Sequence, residues 1–359
     1  MTPISLARGI PSPDCLPAEE LADCARVALE RDSDTILSYG SPSGYEPLRD
    51  WIADRHGVER DRVLVTNGSL QGFVFLAARL APGKHVLVEQ PTYDRPLKIL
   101  AELGADVEPL AMDDEGLDPD ALEHALASGP PPAFLYTIPT FQNPTGRTLP
   151  TERRRRIVEL AARHGLLVLE DDPYGLIRFE GEAPPSLFAL DESGNVAYTS
   201  SFSKTVAPGL RVGYSILPVE LRASLEAKAV STYITPVLLG QATVFEFLRR
   251  GAFEPNLVRI CGLLGERRDA MLAALERTFP AGARWSRPDG GYFVWLELPG
   301  GVDARELLER SAGAVTFVAG TDFGGAPSTA RLAFSFVPPA EIAEGVERLA
   351  ALLPAAATV

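Results

Sequence analysis

The chain has 359 residues, 46% of them hydrophobic and 23% charged, with a net charge of −14 at pH 7. That length holds one large core plus a satellite domain, and the composition is that of a soluble globular protein. The acidic balance argues against nucleic acid and against an anionic membrane surface, both of which attract Lys and Arg, and no apolar run is long enough to span a bilayer.

The opening "MTPISLARGIPSPD" has no basic stretch followed by an apolar one, so no signal peptide is expected. Cys15, Cys24 and Cys261 are few, odd in number and without a C-x-x-C pair, which fits a reducing cytosol and a cytoplasmic protein. Short Val/Leu-rich runs then follow, bounded by Gly, Pro or Asn: "RVLVTNG", "HVLVEQP", "DVEPLAM", "AFLYTIP", "LLVLED", "VAYTSSF" and "RVGYSIL". Between most of them lie amphipathic segments such as "SLQGFVFLAARLAPG", "DPDALEHALASG" and "PTERRRRIVELAARHG". Strand, helix, strand at this spacing predicts βαβ units and an α/β fold with a mostly parallel sheet buried on both faces.

Two local readings accompany these elements. The basic run Arg153 to Arg156 predicts a solvated helix face behind a Thr151 cap. His56 and His164 precede Gly57 and Gly165 at predicted helix ends, where an imidazolium complements the helix dipole. From about Pro218 the pattern turns helical, through "LVRICGLLGERRDAMLAALERTF". A strand pair in "RWSRPDGGYFVWLELPG", a helix, the strand "RLAFSF" and a last helix "PPAEIAEGVERLAALL" complete a smaller α+β region.

In such a sheet, ligands sit at the carboxyl ends of the strands. Four predicted strand ends carry polar groups. "LVTNGSLQG" opens a helix at Ser69 and Leu70, where free N–H groups make an anion site. "YTIPTFQNPTG" carries Asn143, "LVLEDDPYG" carries Asp171, Asp172 and Tyr174, and "YTSSFSK" carries Lys204, with Arg211 seven residues on. A G-x-G-x-x-G fingerprint is absent, so nothing local supports a nicotinamide enzyme. "EDD" lacks a second ligand cluster, so no metal is expected, and Asp172 is expected to cap or to face solvent. An imine-forming lysine, a carboxylate for a ring nitrogen and a phosphate cradle are the parts that pyridoxal 5'-phosphate requires.

"QNPTG", "EDDPYG", "SFSK" followed by "GLRVG", and "RLAFSF" resemble, in order and spacing, the fold type I pyridoxal-phosphate enzymes of the class I/II aminotransferases. The sequence is most similar to the 2-aminoadipate and kynurenine aminotransferase branch, over nearly its whole length. The resemblance implies an aspartate-aminotransferase-like fold. Residues 31–250 would form the large cofactor domain and 251–359 the small domain, with 1–30 joining the small-domain side. It implies that Lys204 bears the cofactor's aldimine and shuttles the proton at Cα. Asp171, three residues before Tyr174, would pair with the ring nitrogen, and Tyr174 and Asn143 would bond the ring oxygen. Tyr93 would stack on the ring, and Ser69, the Leu70 amide, Ser201, Ser203 and Arg211 would hold the phosphate. Tyr39 would reach the phosphate of a partner subunit, implying a homodimer with shared active sites. Arg331 would clamp the substrate α-carboxylate, with Asn143 beside it, and Gly9 would let the backbone approach.

The sequence departs from that branch where it opens almost at "SLARGIPSPDCLP", a stretch that relatives precede with a helix, and at Arg8, where they often have glycine. Related transcription factors carry a winged helix ahead of such a domain; none is present here, which sets the expectation against a regulator. Arg8 either meets a second substrate carboxylate or points to solvent or to the partner subunit. The expected reaction moves an amino group from an L-amino acid to a 2-oxo acid. A different pyridoxal-phosphate outcome (oxidase, lyase or cyclase) and a non-catalytic binding module are the alternatives.

Overall fold

The computed structural model describes residues 2–353. A short strand, β1 (Ile4–Ser5), opens the chain. An eight-stranded sheet follows from β2 (Val63–Thr66), β3 (His85–Gln90), β4 (Asp106–Asp113), β5 (Gly116–Leu117), β6 (Leu135–Thr137), β7 (Val168–Asp171), β8 (Val196–Ser201) and β9 (Gly213–Ile216). Its order is β2-β9-β8-β7-β6-β3-β4-β5. Pairings from β8 through β4 are parallel, while β9 runs antiparallel to both β8 and β2. Strands β2, β6, β8 and β9 are buried at every position. The reason is that helices cover both faces: Phe73, Leu76 and Leu225 fill one core, and Leu122, Ile157 and Leu160 fill another. The Val/Leu-rich runs thus become strands as the βαβ spacing predicts.

This topology gathers the polar strand ends. Strands β6, β7 and β8 run the same way, and two successive antiparallel pairings return β2 to that direction. Thr66, Thr137, Asp171 and Ser201 therefore end at one edge of the sheet, and Gly213 begins there.

A second, four-stranded antiparallel sheet, in the order β10-β11-β14-β13, is built from β10 (Arg284–Trp285), β11 (Phe293–Glu297), β13 (Val318–Ala319) and β14 (Thr329–Ala333). Between β11 and β13 lies β12 (Val315–Thr316), which pairs in parallel with β1. Ile4 and Leu6 thereby enter the apolar core formed with Met271, Val294, Leu332 and Val346. The following helix, Ala18–Ile36, packs instead against Leu238–Arg249. The opening segment therefore touches both sheets' surroundings. No helix among the described residues is long and apolar enough to cross a membrane.

Three local expectations are corrected. The basic run is not a uniformly solvated face: Arg154 is completely buried. Its guanidinium donates to the Leu149 and Pro139 carbonyls at 2.7 Å each and lies 3.7 Å from the buried Glu170 carboxylate. The cause is helical phase, because Arg154 shares the inward stripe of Ile157, Val158 and Ala161. Thr151 is the first helical residue and Pro150 the N-cap, so the threonine does not cap. Gly57 and Gly165 do end their helices in the left-handed conformation, at φ 64° and 61°. His56, however, packs against Tyr198 and Tyr214, with Nε2 3.0 Å from the Tyr214 hydroxyl. Burial, reinforced by Arg55, pushes its pKa down to about 4, so it is neutral and gives the helix dipole no charge.

Candidate active site

A cavity of about 430 Å³ opens at the shared strand edge. Gly9, Ser69, Leu70, Tyr93, Asn143, Asp171, Tyr174, Ser201, Ser203, Lys204, Arg211 and Arg331 all line it. Of the residues that the resemblance assigns to the cofactor or substrate, Tyr39 does not line it; its side chain stands on the surface, 81% exposed. A larger groove, of about 590 Å³, runs between Arg147 and the β10–β11 hairpin, but its arginines are already paired, Arg147 with Asp114, Arg284 with Glu297 and Arg287 with Glu276.

Each wall has a local cause. At the end of β2, Gly68 takes φ 90° and caps the helix Ser69–Leu80 without any side chain over its first N–H groups. A Cβ on Gly68 would collide with the Arg211 guanidinium, and one on Gly213 with the Ser69 amide. Two glycines thus let cation and amides converge. Arg211 itself adopts φ 54° and is tethered by donating to the Asn67 and Pro208 carbonyls, each at 3.2 Å. The Ser201 and Ser203 hydroxyls lie 2.8 Å apart beside it.

On the opposite side, Arg331 is 8% exposed and its guanidinium lies over the Phe293 and Phe323 rings, 4.3 and 4.8 Å from their centroids. Its Nη1 donates to Asn143 Oδ1 at 2.9 Å and its Nη2 to the Ala7 carbonyl at 3.0 Å, while its buried Nε has no partner among the described residues. Gly9 fits here because a Cβ would come within 2.6 Å of the Phe293 ring.

Lys204 reaches into the middle. Its Nζ donates to the Gly9 carbonyl at 2.8 Å and sits near the Tyr174 and Tyr292 rings. Burial lowers its pKa to about 8, helped by the Arg331 and Arg211 charges. Asp171, at the end of β7, accepts from the Tyr136 hydroxyl at 2.7 Å through Oδ2, and its buried Oδ1 has no partner among the described residues. Burial raises Asp171 to about 7, against the lowering effect of the Tyr136 bond. Burial also holds the Tyr93 and Tyr174 phenols above their ordinary value, so both keep their protons at neutral pH.

Asp172 points away from the cavity. Its Oδ1 accepts from the Gly175 amide at 2.8 Å and its Oδ2 from the Tyr198 hydroxyl at 2.9 Å, so it caps a turn rather than facing solvent.

The family model "aminotransferase class I and II" matches residues 4–349. The chain belongs to that family. The aminotransferase is 39% identical to the 2-aminoadipate transaminase of Thermus thermophilus, over 96% of this chain and 89% of that one. It is 35% identical to aromatic-amino-acid aminotransferase 1 of Thermococcus litoralis, over 97% of this chain and 87% of that one. Among solved structures, the Pyrococcus horikoshii kynurenine aminotransferase in complex with PMP superposes with a TM-score of 0.93 at 36% identity, covering 98% of this chain and 91% of that one. The α-aminoadipate aminotransferase of Thermus thermophilus, carrying N-(5'-phosphopyridoxyl)-L-leucine, superposes with a TM-score of 0.91 at 37% identity, covering 98% and 92%. The fold is aspartate-aminotransferase-like, and the enzyme is a pyridoxal-phosphate-dependent aminotransferase.

The residues of this aminotransferase fit the cofactor. The partnerless, buried Asp171 Oδ1 suits a ring N–H, the desolvated Lys204 amine suits an aldehyde, and the glycine-framed amides with Arg211 suit a phosphate. Some residues at the wall or directly behind it carry no signature in the sequence. Phe293 and Phe73 look like ordinary core aromatics there, and Tyr136 lies in a strand whose neighbour in space, not in sequence, is Asp171.

Arg8 is exposed and stacks on Phe336, 4.8 Å from the ring centroid, and it does not line the cavity. Arg8→Ala is therefore expected to change kcat/KM equally, within about threefold, for a dicarboxylic and a monocarboxylic amino acid. Parallel steady-state assays check this. A loss confined to the dicarboxylic substrate would place Arg8 in the pocket.

Proposed function

We propose that the cavity binds pyridoxal phosphate through Lys204 and catalyses amino transfer between an L-amino acid and a 2-oxo acid. The observation that carries this reading is the placement of the Lys204 amine, the partnerless Asp171 oxygen and the Arg331 guanidinium around one cavity. When bound, the cofactor supplies an electron sink for charge developing at the substrate Cα. Asp171 would hold the proton at the ring nitrogen, and Asn143 and Tyr174 would bond the ring oxygen. Tyr93 would cover the ring face. Ser69, the Leu70 amide, Ser201, Ser203 and Arg211 would hold the phosphate.

Arg331 and Asn143 would receive the α-carboxylate, with Gly9 keeping the backbone close. Lys204, with its pKa lowered to about 8, has a substantial neutral fraction near neutral pH and would carry the proton to and from Cα. A second carboxylate clamp is not supplied by Arg8, and the names of the relatives support both acidic and aromatic amino acids as donors.

The enzyme would act as a cytoplasmic homodimer. In support, exposed Leu37 and Tyr39 sit next to the exposed Val237 and Leu239, since Gly40 abuts Leu238. Val237 donates to Asn67, whose carbonyl accepts from Arg211, so this apolar surface borders the phosphate cradle. The large domain would span 31–250 and the small one 251–359; of the segment 1–30, β1 pairs on the small-domain side, while the helix that begins at Ala18 packs against Leu238–Arg249 of the large domain. Met1 and residues 354–359 lie outside the described residues.

The experiment is a half-reaction. Holoenzyme mixed with one equivalent or more of glutamate, 2-aminoadipate or phenylalanine should convert stoichiometrically to the amine form of the cofactor, read by absorbance. Excess 2-oxoglutarate should reverse the change. Ammonia release with oxygen uptake would instead mark an oxidase.

A further inference from the structure

We propose that Tyr136 is a positioning residue for the cofactor ring, acting through Asp171. Strands β6 and β7 are parallel neighbours, with Tyr136 level with Leu169 and Thr137 level with Glu170. That register brings the Tyr136 side chain beside the end of β7, where its hydroxyl donates to Asp171 Oδ2 at 2.7 Å. The phenol is completely buried and its ring packs edge-on against Phe73, 5.2 Å away, which itself lines the cavity. It cannot swing aside. With Oδ2 occupied, Oδ1 remains buried and without a partner among the described residues. One carboxylate oxygen is thus committed to the protein and the other is left for a ring N–H.

The bond also biases the proton between carboxyl and ring. Asp171 faces Lys204 across the cavity, Asp172 next to it in the chain, Glu89 from β3, and the Tyr93 and Tyr174 phenols. Of these charges, Asp172 and Glu89 push the proton onto Asp171, and only Lys204 opposes them. Tyr136 keeps its own proton, because burial and the neighbouring Asp171 raise its pKa well above the ordinary value. It therefore acts as a donor and favours the ionised carboxylate. Without it, Asp171 would take the proton and the ring nitrogen would lose its charge. The inference rests on the pairing of Asp171 with the ring nitrogen.

The test is Tyr136→Phe, with Tyr198→Phe as control. Tyr198 is also buried and gives its hydroxyl to the other acid, Asp172. The full-length enzyme is stripped of cofactor and titrated with pyridoxal phosphate. Tyr136→Phe is expected to raise Kd about tenfold, the size of one hydrogen bond to a charged group. It should also move the midpoint of the visible-band pH titration upward by at least about half a unit, because a neutral ring raises proton affinity at the Lys204 linkage. Tyr198→Phe should lower thermal stability comparably and leave both readings unchanged.

In an Asp171→Asn background, Tyr136→Phe should have no further effect on Kd, since its action passes through Asp171. Equal shifts in both tyrosine variants, unchanged readings in Tyr136→Phe, or additive effects with Asp171→Asn would overturn the proposal. If Asp171→Asn itself left Kd and spectrum untouched, the pairing of Asp171 would fall instead.

Discussion

Lys204→Ala is expected to abolish transamination, with kcat falling at least about 10⁴-fold, or roughly 5.5 kcal/mol in barrier. The variant would lose both the covalent anchor and the only amine among the described residues that line the cavity, since the remaining lining cations are arginines. Borohydride reduction followed by peptide mapping should place the cofactor's mass on Lys204 in the wild type and nowhere in the variant. Label on another lysine, or activity within tenfold of wild type, would defeat the assignment.

The pH dependence follows from the same amine. Its pKa is lowered to about 8 from an ordinary 10.5, so the neutral form reacts with an aldehyde at lower pH than a surface lysine does. Cofactor capture by stripped enzyme should therefore accelerate about tenfold per unit up to pH 8 and level off above it. A depressed pKa also fixes the sign for stability. The contribution of Lys204 is full above pH 10.5 and is lost as pH falls through 8, because the folded protein resists the charged form. Stripped Lys204→Ala should accordingly melt no lower than stripped wild type at pH 7.

The grouping of the candidate site's residues was largely legible because strand ends in a parallel sheet announce themselves. Asn143, Asp171, Ser201 and Lys204 each follow a Val/Leu-rich run, and the sheet order brings those ends together. Other features depend on neighbours that sequence does not place. Arg154 reads as one of four surface arginines until helical phase turns it inward onto Glu170. His56 reads as a charged helix cap until Tyr198 and Tyr214 enclose it. The two-residue strands β1 and β12 carry no alternation of their own and exist by pairing with each other. Tyr136 belongs to the same class, because its function depends on a strand register rather than on a motif.

Asp171→Asn is expected to keep the fold and lose most activity, on the order of 10²–10⁴ in kcat, or about 3–5 kcal/mol. The carboxamide oxygen can still accept from the Tyr136 hydroxyl, so the packing between β6 and β7 survives. Its NH₂ group, presented where Oδ1 now lies, is a donor and cannot accept a ring N–H. A neutral amide also gives no countercharge to a protonated ring. The adjacent acid separates this effect from a general loss of charge at the strand end. Asp172 spends its two oxygens on the Gly175 amide and the Tyr198 hydroxyl, so Asp172→Asn should cost about 1–3 kcal/mol of stability and little in kcat. If Asp172→Asn were the crippling change and Asp171→Asn mild, the roles within "EDD" would be reversed. A second measurement works without turnover. Burial raises Asp171 to about 7 from 3.8 in the stripped protein, so its contribution to stability is full below pH 3.8 and is lost as pH rises through 7. The carboxamide that replaces it in Asp171→Asn does not titrate. The melting temperature of stripped Asp171→Asn relative to wild type should therefore climb between pH 5 and 7 and then level. A flat difference across that range would mean that Asp171 is not held in a water-poor site, and the driving force for pairing it with a protonated ring would be gone.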